Sequence, residues 1–394
     1  ELVYPRPSRH HVFRATARFY PDTLTDLARF APHEPLDAEP VRNVVLATSS
    51  LTAGGVTEVL LAQARYLTEN GHRVVIVARK PGSDRAALPA GVKFVELSGR
   101  GLSAQLEEWA DLCRSDAIDV VIDHQVLHTP HWPAFALMAR SEGAATIGWV
   151  HSFVARPVYE GTDRLTRLER YSGALALLVV LSPLDVSYFK LRSVRHVAYM
   201  PNPPSSLLRA PGEFPAPRSA PLGRVSLAWW GRLEESTKRI SELLSVSQKL
   251  CDLGVDFHLT VIGPDSDGTT ARRFNADARR LGIDDRVRPV GPLHGAPLLD
   301  AIDAADVFVS TSINEGYPLT ITEAQAGGLP VAMYELPWFS LLRDNGGVVT
   351  APQGDAGSLA RQIAQLIAEP DRYVAVSKAS LLASHRAREP DLGS

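Results

Sequence analysis

Two doubly wound α/β domains, each a parallel sheet covered by helices on both faces, are the architecture this sequence predicts. Three observations carry that expectation. The 394 residues exceed what a single hydrophobic core usually holds. From Asn43 onward, short β-branched runs alternate with helical stretches, the pattern of consecutive βα units. A proline-dense break, Met200-Pro201-Asn202-Pro203-Pro204 followed by Pro211, Pro215, Pro217 and Pro221, cuts that series in two and reads as a linker. The expected boundaries are an extension over 1–40, a first domain over 41–204, a linker over 205–222, a second domain over 223–375, and a helix and tail over 376–394.

Each element follows from its own residues. Pro5, Pro7, Pro21, Pro32, Pro35 and Pro40 keep interrupting any periodicity in the extension, where only 22–30 suggests a short helix. First-half strands are expected at 43–48, 73–78, 92–97, 119–123, 145–150 and 175–182, apolar runs of the kind that parallel sheets bury on both faces. Between the first two, Val56, Val59, Leu60, Ala64 and Leu67 recur at helical spacing and Gly71 closes the helix. After the linker, strands are expected at 225–230, 257–263, 287–291, 306–310, 330–334 and 348–350, with helices over 355–367 and 371–387. Open parallel sheets bind ligands outside the carboxyl ends of their strands, so the loops there are the places to look for chemistry.

Composition narrows the classes. Apolar residues make up 45% and charged residues 22%, a globular balance, and the net charge of −3 offers no basic excess for nucleic acid. Cys113 and Cys251 are the only cysteines and lie in different halves, which argues against a disulfide framework or a cysteine metal site. No apolar run is long enough to span a bilayer, and Glu1–Arg14 lacks an apolar signal core, so a cytoplasmic protein is expected.

Four elements carry candidate chemistry. The loop 49–56 between the first strand and helix holds Gly54 and Gly55, which let backbone approach a ligand ahead of free helix amides. A nicotinamide fingerprint would need GxGxxG there and an acid ending the next strand; that strand ends in Ala78-Arg79-Lys80. Next, Arg232 leaves a buried strand after Gly231, and Lys238 follows six residues on, a fork of donors and a point charge suited to phosphate. Alone, the pair reads equally well as a solvated basic turn. The most specific element is Glu315-Gly316-Tyr317-Pro318-Leu319 leading into a helix that carries Glu323. Pro318 suits a helix start, the amides of Gly316, Tyr317 and Leu319 suit a phosphate oxygen, and Glu323 suits a ribose diol. Last is His151, after the strand at 145–150, with His124, His128 and His131 as rivals. Asp265-Ser266-Asp267 does not sit where a bound divalent ion is expected.

In this order, GGV…LA..L…GH.V.I (54–76), the His151-Ser152 turn, Pro201-Asn202, GRL…K (231–238), EGYPLTITE (315–323) and GGLPV (327–331) resemble the retaining glycosyltransferases of family 4 over roughly residues 43–385. That resemblance implies the GT-B fold, two Rossmann-like domains facing each other across a cleft. It implies a nucleotide-diphosphate sugar as donor and a glycan, lipid or polymer hydroxyl as acceptor. By the same resemblance, Gly54 and Gly55 lie near the donor phosphates or the arriving acceptor, and Arg232 and Lys238 hold the departing diphosphate. Glu315 contacts the sugar at its 3- and 4-hydroxyls, Glu323 binds the ribose, His151 bonds to the 6-hydroxyl, and the loops after Gly263 and Gly291 frame the base. Pro203-Pro204 departs from the Gly-Val-Asp usual after that asparagine. Catalysis without a metal or other cofactor is expected, with retention by attack on the face of departure. A nucleotide-sugar hydrolase or epimerase of the same fold, and a non-catalytic binding partner of a transferase, stay open as alternatives. The arginines of 163–170 with Lys190, Arg192 and Arg195 suggest a basic face for peripheral contact with anionic lipid or polymer.

Overall fold

The computed structural model describes residues 42–51, 54–80, 88–154, 161–203, 205, 215–265, 268–336 and 346–386. The extension over 1–40 and residues 206–214 of the expected linker fall outside them. The chain divides into two compact units between Pro203 and Pro204.

In the first unit the strands are β1 (Asn43–Thr48), β2 (Arg73–Ala78), β3 (Lys93–Glu96), β4 (Val120–Asp123), β5 (Ala145–Trp149), β6 (Leu177–Val180) and β7 (Val197–Tyr199). They form one parallel sheet in the order β3-β2-β1-β4-β5-β6-β7. The helices are α1 (Gly55–Glu69), α2 (Leu102–Ser115), α3 (Trp132–Ser141), α4 (Arg164–Tyr171) and α5 (Pro183–Leu191). β1 and β2 are buried along nearly their whole length, as strands covered on both faces must be. Trp109 of α2 and Phe135 of α3 meet edge to face at 5.5 Å, and the Trp109 indole N–H donates to the Phe135 carbonyl at 3.0 Å, so a large apolar body is buried with its polar tip satisfied. Ser182 begins α5 by accepting the Asp185 N–H at 3.1 Å, with Pro183 in the first turn where its missing N–H costs little.

The second unit contains β8 (Val225–Trp230), β9 (Phe257–Ile262), β10 (Val287–Gly291), β11 (Val307–Ser310), β12 (Val331–Tyr334) and β13 (Val348–Ala351). These make a second parallel sheet in the order β10-β9-β8-β11-β12-β13. Its helices are α6 (Glu242–Asp252), α7 (Thr270–Arg280), α8 (Ala296–Asp303), α9 (Leu319–Ala326), α10 (Ala356–Ala368) and α11 (Pro370–Arg386). Pro289 is tolerated because β10 lies at the sheet edge, where its register also shifts. Asp355 caps α10 by accepting the Ser358 N–H at 2.8 Å. The last helix is sewn to the sheet by hydroxyls. Ser377 donates to the Gly328 carbonyl at 2.6 Å, and Ser380 to the carbonyls of Leu329 and Gly347 at 2.8 and 3.1 Å. Both serines are fully buried, and α11 packs along α9.

Both sheets thus run in the same doubly wound order, 3-2-1-4-5-6, the first with one strand more. That added strand, β7, was not expected from the sequence: three residues on a sheet edge, with Tyr199 exposed, leave little periodicity to detect. The order reverses between β1 and β4 in one sheet and between β8 and β11 in the other. Those two reversal points are where such sheets open a crevice.

Candidate active site

At the reversal point of the second sheet, β8 runs out into Gly231 and Arg232, and β11 into Thr311–Glu315. Lys238 and Glu315 form an ion pair here, with side chains only 18% and 14% exposed. The two loops are tied together beneath that pair. The Thr311 hydroxyl donates to the carbonyls of Lys238 and Arg239, both at 3.0 Å, and the Ile313 N–H donates to the Thr237 carbonyl at 2.9 Å. Arg232 turns instead to Glu234 at 2.9 Å and stays half-exposed. Glu234 also accepts from the hydroxyls of Ser236 and Thr237, so it fixes the turn that carries both cations.

Glu315 is followed by Gly316, Tyr317 and Pro318, and α9 starts at Leu319 with Pro318 at the N-cap rather than in the first turn. No side chain caps this start. The Ile321 N–H closes back on the Pro318 carbonyl at 3.1 Å, and the amides ahead of it are those that such a helix start can turn toward an anion. Glu323, a little over one turn inside α9, is buried, and its Oε2 accepts the Trp230 indole N–H at 2.8 Å. The carboxylate expected to face a ribose is therefore fixed from behind by the last residue of β8.

Gly263 has a packing reason to be glycine. Its φ is +146°, and a Cβ built there would lie 1.7 Å from the Gly231 carbonyl oxygen. Gly231 itself, at φ +149°, donates its N–H to Ile262 at 3.0 Å, and the Leu233 N–H reaches the Pro264 carbonyl at 2.9 Å. The two turns after β8 and β9 are thus pressed backbone to backbone. Asp265 accepts the Ala271 N–H at 3.0 Å and anchors the first turn of α7, while Ser266 and Asp267 lie outside the described residues. Among the described residues no cluster of three or more His, Cys, Asp or Glu is arranged to hold a metal ion.

In the first unit, Gly54 caps α1 at φ +154° without a side-chain bond, and Gly55 is its first residue. A Cβ on Gly54 would meet nothing within 4 Å, so the loop leaves open space there. His151 follows β5 and His124 follows β4. The histidines treated as rivals in the sequence are partners: His124 Nδ1 and His151 Nε2 lie 2.8 Å apart, with the rings stacked at 5.0 Å and Trp149 alongside. Burial pushes His124 down to about 3. It also holds His151 well below the usual imidazole range, helped by the neighbouring His124 and His128. Both rings are neutral at physiological pH. The turn after His151 is held by Asp185, which accepts the Val154 N–H at 3.0 Å and is raised by burial to about 6.

One buried feature has no local signal in the sequence. Arg79, at the end of β2, is 5% exposed and grips Asp123, at the end of β4, through two nitrogens at 3.3 and 2.5 Å. Its guanidinium lies 4.5 Å from the Phe135 ring centroid. Asp123 in turn accepts the Gln125 N–H at 2.8 Å, fixing the turn that contains His124. The basic row on α4 is partly neutralised: Arg167 pairs with Asp163 at 2.9 Å, and Arg192 of the neighbouring turn reaches Glu169 at 3.6 Å.

Two Rossmann-like α/β units with sheets of the same order are the components of the GT-B fold. Two family models match in tandem and together take in well over half of the chain: Glycosyltransferase Family 4 over residues 53–188 and Glycosyl transferases group 1 over residues 224–369. The chain belongs to the family 4 glycosyltransferases and is a transferase of the glycosyl-transferring class. A D-inositol 3-phosphate glycosyltransferase of Corynebacterium diphtheriae is 26% identical over 71% of this chain and 73% of that protein. Sucrose-phosphate synthase from Thermosynechococcus elongatus superposes with a TM-score of 0.70 at 18% identity, over 88% of this chain and 95% of that one. The Anabaena protein Alr3699/HepE, crystallised with UDP and glucose, gives a TM-score of 0.70 at 15% identity, over 88% of this chain and 96% of that one. Among the described residues no helix is long and apolar enough to cross a membrane.

Proposed function

We propose that this glycosyltransferase moves a hexose-type sugar from a nucleotide-diphosphate donor to a hydroxyl acceptor with retention of anomeric configuration and without a metal. The observation that carries this reading is the Lys238–Glu315 pair at the reversal point of the second sheet, beside the uncapped start of α9. Breaking the glycosidic bond leaves charge on the diphosphate, and fixed cations with helix amides stabilise it where water is excluded. Lys238 is held by Glu315 in the free protein and turns toward the phosphate on binding, which frees Glu315 for the sugar hydroxyls. Arg232, on its exposed turn, adds a second cation. Glu323, steadied by Trp230, takes the ribose, with Gly316, Tyr317 and Leu319 lining the phosphate path. His151 approaches the sugar and Gly54 and Gly55 the phosphates or acceptor. A leaving phosphate oxygen receives the acceptor proton on the face of departure.

UDP is the first donor base to try, since the Anabaena structure holds UDP and glucose. The acceptor panel should contain D-inositol 3-phosphate, the compound in the Corynebacterium relative's name, together with lipid-linked and polymeric glycans. Protection of the protein against thermal unfolding by nucleotide sugars identifies the donor by mass action. Donor turnover with and without acceptors, in the presence of EDTA, then tests transfer. Turnover equal in both conditions would identify a hydrolase, and binding with no turnover a non-catalytic partner. Co-sedimentation with anionic vesicles, compared after charge reversal at Lys190, Arg192 and Arg195, tests peripheral membrane contact.

A further inference from the structure

The structure gives His151 a buried partner, His124. We propose that His124 is a positioning residue that fixes His151 as the neutral tautomer with its proton on Nδ1, so that His151 meets the substrate as a hydrogen-bond donor and not as a base. This rests on the glycosyl-transfer reading above for its functional part; the tautomer itself does not.

The number of protons shared by the two rings decides which tautomer forms. His124 Nδ1 and His151 Nε2 are 2.8 Å apart, so one proton lies between them. Both rings are neutral, so each carries a single N–H. His124 Nε2 is buried and has no partner. If His151 supplied the shared proton, His124 would have to carry its own proton on Nε2, an orphaned buried N–H. If His124 supplies it, the orphan is a bare lone pair. Buried N–H groups without a partner are rarer than under-satisfied acceptors, so the second arrangement wins. His124 Nδ1–H then donates to His151 Nε2, and the His151 proton sits on Nδ1.

The surroundings support a neutral pair. Asp123, next to His124, is committed to Arg79 and to the Gln125 N–H. His128 is exposed and approached by Arg164 of α4 at 3.3 Å. Asp185 of α5 faces the Val154 N–H. Trp149 of β5 covers the rings. Among these groups no carboxylate is assigned to the imidazoles to favour a cation. His124 itself is 1% exposed and held by its backbone N–H on the Ala47 carbonyl at 3.0 Å, so it reaches substrate only through His151.

The test reads the tautomer first, without donor. In protein carrying 15N-labelled histidine, long-range proton–nitrogen correlation near pH 7.5 should show His151 with a protonated Nδ1 and a bare Nε2. A protonated His151 Nε2 overturns the proposal. Kinetics on variants supplies a second reading. Asn at 124 places an amide donor where Nδ1 was, so His124→Asn should keep kcat/KM within about fivefold of wild type. His124→Asp can only accept, forcing the His151 proton onto Nε2, and should lower kcat/KM by about tenfold to a hundredfold, the usual range for an outer-shell partner. Its carboxylate also favours the imidazolium, so the acid limb of the pH–rate profile should move upward. Equal activity of the two variants, or an unmoved acid limb, overturns the proposal. Should His124→Asp fail to fold, the spectrum of the wild type decides. A wild-type protein that transfers no sugar would sink the function while leaving the tautomer readable.

Discussion

The two sheets share one strand order and little else at their reversal points. In the first, the charged groups face inward: Arg79 and Asp123 are both buried, pair with each other and lie against an aromatic ring, while the imidazoles beside them are neutral. In the second, Lys238, Glu315 and Arg232 stay partly exposed, and the neighbouring helix opens without a side-chain cap. Topology placed both crevices, and the loop residues decided what each one is for. One charged pair serves the fold; on the function proposed above, the other serves a ligand.

Five measurements would break or sharpen that contrast. Asp123→Ala strips the partner from a buried guanidinium and should destabilise the first unit by about 3–5 kcal/mol. A calorimetric transition unchanged in that unit would make the buried pair ornamental. Lys238→Met should do the opposite, lowering kcat/KM about a hundredfold to a thousandfold while costing no more than about 1 kcal/mol of stability. If the unfolding midpoint collapses and residual activity does not, the two pairs have been assigned the wrong way round.

Gly263→Ala comes third. Its methyl would overlap the Gly231 carbonyl at 1.7 Å, and at least about 2 kcal/mol should be lost in the second unit. Gly54→Ala, with open space around it, should cost only about 1 kcal/mol from its positive φ. A further effect is on pH. His124 has a folded pKa near 3 against 6.5 for the free side chain, so the unfolded chain binds the extra proton between those values. Its contribution is complete above pH 6.5 and drains away as pH falls, by about 1.4 kcal/mol per unit. Asp185, raised from 3.8 to about 6, works in the contrary direction, because there the folded state holds the proton. Urea titrations of wild type and His124→Phe between pH 7 and 5 should show the steeper acid loss only in the former.

Much of this fold is legible in the amino-acid sequence. β1, β2 and β8 are continuous apolar runs bounded by turn residues, and their limits match the sequence reading to the residue. β10 matches as well, and strand ends elsewhere shift by one or two positions, because a Leu or Asp at the rim of a strand looks the same on either side of its last ladder bond. Within the site, the acids at 315 and 323 and the cations at 232 and 238 stood out as a local pattern, but who pairs with whom did not. Lys238 meets a residue 77 positions away, Arg79 one 44 away and His124 one 27 away. Pairings at such separations are made by the sheet order and leave no mark on neighbouring residues. Glu323 shows the same limit: its spacing suggested a ribose contact, while its anchor on Trp230 emerges only when β8 and α9 are laid side by side.

The serines of α11 carry a consequence for how the protein is made. The carbonyls of Gly328 and Leu329 find donors on Ser377 and Ser380, and the Gly347 carbonyl, which already accepts the Val331 N–H, gains a second donor on Ser380, so the hydrogen bonding around β12 is completed only when that helix exists. On the ribosome, the first unit can finish while the rest is still being translated. The second must wait for nearly its whole length to emerge, and the helix bearing Glu323 gains its brace among the last events of synthesis.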